Sequence, residues 1–202
     1  PAWSIAFDLK KDGKVSLSKP KAGNKRKKAP PSKSLAFPQD AQPGDYRDPS
    51  PFAFQNEDIV ALIGNGLPDR MQHYGWTETL IQSAAPDKQL RFRNMSLSGD
   101  RVNTFPRSKG FTPMDAYLKQ VKADVVFAFF GYNESHEGAE GLAEYKKKLG
   151  GLIKVLRDTK PNGKTPPRIV LFSPIAHENL GDRNLQDGKE SNKRLKLYSD
   201  AM

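Results

Sequence analysis

The sequence contains no cysteine, which excludes disulfides, thiolate nucleophiles and cysteine-ligated zinc. That absence places no limit on compartment, because a cysteine-free chain survives in either redox environment. Histidine is scarce as well: His73, His136 and His177 are the only three, at no spacing used by a metal-binding pair. No metal site is expected. No apolar stretch approaches the length of a membrane-spanning helix. The opening Pro1-Ala2-Trp3 has neither an initiator Met nor a signal-peptide pattern, which predicts a processed or excised piece. There is no G-x-x-x-x-G-K-[ST] phosphate loop. Gly64-Asn65-Gly66 lacks the third glycine of a dinucleotide fingerprint, so a nucleotide site has little support.

What is present is unevenly distributed. The apolar fraction of 36% and mean hydropathy of −0.71 are low for a compact domain and point to a polar segment diluting the average. Charge locates that segment. Between Lys10 and Lys33, ten basic residues face Asp12 alone, which accounts for +9 of the chain's net +10. No aromatic residue interleaves that tract and no groove-binding motif accompanies it. Its Lys, Pro, Ser and Gly content is linker chemistry, and nucleic-acid binding is the weaker reading. Before it, Trp3 to Leu9 and Val15 to Leu17 alternate around Asp12-Gly13, a hairpin signal. Three regions are therefore expected: a hairpin over 1–18, a basic linker over 19–51, and a folded domain over 52–202.

The domain is organised around Asp58 to Trp76. Ile59 to Ile63 is an unbroken, β-branched-rich run that suits a strand buried on both faces. Gly64-Asn65-Gly66 then turns the chain, with Pro68 expected at the first helical position and Asp69 at the positive helix end. Met71, Tyr74, Leu80, Ile81 and Ala84 recur at helical spacing, predicting one helix that also carries His73. The glycines support two readings, a ligand site or a tight turn using backbone freedom alone.

Further strands are predicted at 90–94, 123–130 and 168–173. Between them, Thr112-Pro113-Met114-Asp115 resembles a capping box opening a helix to Val121. Leu142, Tyr145, Leu149, Leu152, Ile153 and Leu156 share one helix face. A last helix covers about 190–202. Strands alternating with helices give an α/β class with a parallel sheet, in spatial order 2-1-3-4 because Ala123–Phe130 is apolar on both faces. Parallel strands bring their carboxyl-end loops to one edge. Those loops are Gly64 to Gly66, Asn94 to Asp100, Gly131 to His136, and Ser173 to His177. His136 and His177 are thereby candidate ligand contacts.

At these loops the sequence resembles the SGNH/GDSL hydrolase family, in order over about 58–173. Gly64-Asn65-Gly66 stands where the family has Gly-Asp-Ser. Asn94 with Ser98-Gly99-Asp100 matches the second motif, and Gly131-Tyr132-Asn133-Glu134 the third. The resemblance implies a three-layer α/β/α sandwich, flavodoxin-like in outline, with its last strand missing from this chain. It also implies hydrolysis of carboxylic esters, such as acylated carbohydrate, without a cofactor. By the same resemblance Gly99 N–H and the Asn133 amide are oxyanion donors, and Asn65 belongs to the nucleophile turn. Gly64, Gly66, Ser98, Asp100, Glu134, His136 and His177 are the expected binding neighbours. Two features depart from the pattern: Gly66 has no hydroxyl, and no Asp-x-x-His follows. The phrase from Gly64 to His73 is similar to a bacterial subgroup with Gly-Asn in place of Gly-Asp-Ser, often embedded in large exported proteins. That implies a periplasmic or extracellular parent. A non-catalytic module binding an ester, acetylated glycan or carboxylate is the rival expectation.

Overall fold

The computed structural model describes residues 7–9, 15–17, 52–102, 104–107 and 110–202. The chain divides into two units, Pro1–Ser50 and Pro51–Met202. In the first, β1 (Phe7–Leu9) pairs antiparallel with β2 (Val15–Leu17), with Leu9 opposite Val15. The Asp12-Gly13 turn and the basic tract lie outside the described residues.

The second unit holds β3 (Ile59–Gly64), β4 (Arg91–Asn94), β5 (Val125–Phe129) and β6 (Arg168–Phe172) in one sheet. Their order is β4-β3-β5-β6 and every pairing is parallel, as the apolar patterning predicts. The two middle strands are the two most apolar runs. Val60, Ala61 and Leu62 of β3, and Val125, Val126 and Ala128 of β5, are fully buried.

Side chains alternate across the sheet with period two, and each face has its own core. Ala61, Ile63, Val126 and Ala128 pack with Leu118 of α3 (Met114–Val121), Tyr145, Leu149, Leu152 and Leu156 of α4 (Leu142–Thr159), and Tyr198 of α5 (Lys189–Asp200). Val60, Leu62, Val125, Phe127 and Phe129 pack on the other face with Leu67 and Met71 of α1 (Gly66–Met71) and Ile81 of α2 (Trp76–Ala84). Helices on both faces of a parallel sheet make the α/β/α layering.

Three local expectations are corrected. The helix after β3 is two helices, because Gly75 adopts a left-handed φ of 62° and redirects the chain. Met71 and Ile81 reach the core, but Tyr74, Trp76 and Leu80 stay exposed, at 74%, 69% and 66%. Pro68 is the third residue of α1, not the first. At α3 no capping box forms: Pro113 is the N-cap, Met114 the first helical residue, and no side chain caps the helix.

Candidate functional site

The carboxyl ends of β3, β4, β5 and β6 open on a cleft of about 330 Å³, within the size range of small-molecule sites. Asn65, Gly66 and Leu67 come to it from the loop after β3, and Ser98 and Gly99 from the loop after β4. The strand after which Tyr132 and Asn133 follow contributes Phe129 and Phe130, and Phe172 to Ile175 close the far side. Phe129 and Phe172 stack at 4.2 Å between centroids, giving the cleft an aromatic wall. Among the described residues, none of the lining side chains is a carboxylate, amine or guanidinium.

Long-range hydrogen bonds set the loops. Glu134 is 5% exposed, and its two carboxylate oxygens accept from Val102 N–H at 2.7 Å and Gly131 N–H at 2.9 Å. It thus staples the loop after β5 to the loop after β4. Asn133 Nδ2 donates to the Asp100 carbonyl at 2.8 Å, while Arg101 donates to the Asn133 carbonyl at 3.2 Å and to Glu137 at 2.5 Å. Asp100, 1% exposed, is gripped through both oxygens by Arg107, at 2.5 and 2.7 Å. Asn94 Nδ2 donates to the Pro68 carbonyl at 2.6 Å, tying β4 to α1.

Ser98 faces Asp69. Asp69 Oδ2 accepts from the Ser98 hydroxyl at 2.6 Å and from its N–H at 3.1 Å. The hydroxyl bond is the main cause holding the Asp69 carboxyl below its ordinary range, against a smaller opposing effect of desolvation. A Cβ added to Gly66 would lie 3.5 Å from Ser98 Oγ, an ordinary contact. Position 66 therefore has room for a side chain. Gly64 does not: its φ is +142° and a Cβ would stand 2.3 Å from the Phe129 carbonyl oxygen. Glycine at 64 lets β3 and β5 approach closely.

Of the ten candidate residues, Asn65, Gly66, Ser98, Gly99 and Asn133 line the one cleft. Gly64, Asp100, Glu134, His136 and His177 do not. The first three of these build the walls, as described. His136 stands edge-on to the ring of Tyr132, itself a lining residue, at 5.8 Å. His177 is pinned through its backbone by Asn192, which accepts from its N–H at 2.7 Å and donates to its carbonyl at 2.9 Å. The Asn133 amide differs from expectation too: one N–H holds the Asp100 carbonyl, so only its second can face a ligand. Sequence reasoning assigned Asp69 to the helix dipole and missed its hold on Ser98, a contact 29 residues distant.

Among the described residues, no group of three His, Cys, Asp or Glu could hold a metal ion. No described helix is long and apolar enough to cross a membrane.

No family model matches the sequence. No curated protein matches it either. Similar solved structures include TesA, at 18% identity and TM-score 0.49, covering 71% of this chain and 70% of that one. Another is the esterase EstA from Pseudoalteromonas sp., at 19% identity and TM-score 0.45, covering 72% and 75%. The lipase Lip_vut3 from a goat rumen metagenome is similar at 12% identity and TM-score 0.44, covering 71% and 74%. The four-stranded parallel α/β sheet, with all three motif loops on its carboxyl edge, is the arrangement that the SGNH/GDSL resemblance implies.

Proposed function

We propose that residues 52–202 form an SGNH/GDSL-type domain whose cleft binds the acyl group of a neutral carboxylic ester without forming an acyl-enzyme. The observation that carries this is the cleft itself, uncharged, with Gly99 and Asn133 converging on it. Gly99 N–H has no partner among the described residues, and Asn133 keeps one free amide hydrogen. Two such donors suit a carbonyl oxygen. An ionised carboxylate fits worse: it would lose its hydration with no cation to replace it, which costs several kcal/mol. The Asp69 charge behind Ser98 also opposes an anion.

Acyl transfer needs a hydroxyl and a base placed to take its proton. Position 66 offers no hydroxyl. The Ser98 hydroxyl donates to a carboxylate that is a poor base, since its pKa is lowered. No histidine lines the cleft.

The test is treatment of the 202-residue chain with a fluorophosphonate probe, alongside calorimetric titration with an unreactive ester. The proposal expects saturable ester binding and no adduct in the intact mass. An adduct mapped to Ser98 would make the domain a serine esterase with a displaced nucleophile. Absence of ester binding would remove the proposal.

A further inference from the structure

One buried polar side chain of the cleft is left without a role by the acyl-binding reading. Asn65 is 4% exposed and lines the cleft. Its backbone is fully engaged: the N–H donates to the Phe129 carbonyl at 3.3 Å, and the carbonyl accepts from Asp69 N–H at 3.2 Å. Its carboxamide does not cap α1 and has no hydrogen-bond partner among the described residues. The neighbouring polar groups differ: Ser98 is held by Asp69, Asn133 by Asp100, and Asn94 by Pro68 and Ser96, while Tyr132 and Ser173 are exposed to solvent. The polar atoms of Asn65 are not fully shut off from solvent, so the demand arises when a ligand fills the cleft: a carboxamide desolvated there without a partner costs about 1–3 kcal/mol.

A carboxamide offers an acceptor oxygen and a donor NH2 side by side. A ligand that satisfies it must present a donor next to an acceptor. A simple ester supplies only acceptors and would leave Asn65 Oδ1 desolvated and unpaired. The donor must also be neutral, because among the described residues no carboxylate lines the cleft to balance an ammonium group. We infer that Asn65 is a specificity-determining residue that reads a hydroxyl beside the ester, so the cleft prefers esters whose alcohol part keeps a free hydroxyl. This rests on the acyl-binding reading and adds to it the class of alcohol. The aromatic wall of Phe129 and Phe172 serves the apolar part of the same ligand.

The experiment measures the Kd of the full chain for 2-hydroxyethyl benzoate and 2-methoxyethyl benzoate. These share acyl group and linker and differ in the hydroxyl donor. The hydroxyl ligand is expected to bind about three- to tenfold more tightly, the worth of one net hydrogen bond. Asn65→Ala is expected to bind both alike, with the similarly shaped but apolar Asn65→Leu as the second variant should the first not fold. Equal affinity of the unaltered chain for the two ligands overturns the inference and leaves acyl binding standing. A preference that survives in whichever variant folds overturns the assignment to Asn65. Binding of neither ligand overturns the inference together with the proposed function.

Discussion

The two ends of the same strands solve opposite problems. At the amino edge, Asp58 accepts from Gln55 N–H at 2.7 Å and from the Arg168 guanidinium. Asp124 there accepts from Ile59 N–H at 3.0 Å and from Asn162 Nδ2 at 2.9 Å. Arg168 also donates to the Ala53 carbonyl at 2.7 Å. Each charge or amide meets another, and the edge is closed. At the carboxyl edge, Glu134, Asp100 and Arg101 are paired behind the wall, while Asn65, Gly99 and one Asn133 hydrogen are left open. A polar group with all its partners fixes the fold. One left open on the cleft is available to a ligand.

This contrast makes stability a property of the amino edge and binding a property of the carboxyl edge. The largest expected effect is therefore on stability. Asp58→Ala strands the Arg168 charge and the Gln55 N–H, at a cost of about 2–3 kcal/mol. Urea denaturation checks this, and a loss under about 0.5 kcal/mol, typical of a surface change, would erase the distinction. Asp58→Ala protein that remains folded should bind ester with unchanged Kd.

Gly66→Ser gives the next largest contrast, this time at the carboxyl edge. The new Cβ meets only Ser98 Oγ at ordinary contact distance, and Gly66 lacks a left-handed φ. Stability should shift by less than about 1 kcal/mol in thermal unfolding. No fluorophosphonate adduct should appear, because no histidine lines the cleft to accept the new hydroxyl's proton. Labelling of the introduced serine would mean that a base reaches the cleft after all.

Much of this was legible in the sequence. The strands and their order follow from Ile59–Ile63 and Ala123–Phe130 being apolar on both faces, and the parallel sheet follows from strands alternating with helices. The convergence of Gly66, Ser98, Gly99 and Asn133 follows from where polar loops must emerge in such a sheet. What stayed hidden depends on partners distant in sequence. Nothing near Glu134 announces that it will bond Val102, 32 residues away. The break at Gly75 was concealed because Met71, Tyr74 and Ile81 keep helical spacing across it. Asn65 could be placed at the site, but only the structure shows its carboxamide alone.

The smallest effect separates Asp69 from the closed amino edge. Its folded pKa is depressed, chiefly by the Ser98 hydroxyl. The contact therefore contributes stability that is complete above the unfolded value near 3.9 and lost as pH falls through the lower folded value. Carboxyl-carbon NMR titration should give Asp69 a midpoint below 3.8, its ordinary value. Ser98→Ala should raise that midpoint, and no movement would show that the pair does not hold in solution.

The central claim is that the open, uncharged cleft takes a neutral acyl group. Amide and side-chain NMR shifts followed during titration with ethyl benzoate, and separately with benzoate at pH 7, test it most directly. The account predicts saturable shifts at Gly99 N–H and the Asn133 side-chain amide with the ester. Benzoate should bind about tenfold or more weakly, as expected for an ion desolvated without a counter-charge. Benzoate binding as tightly as the ester, or ester-induced shifts that leave Gly99 and Asn133 unmoved, would contradict it.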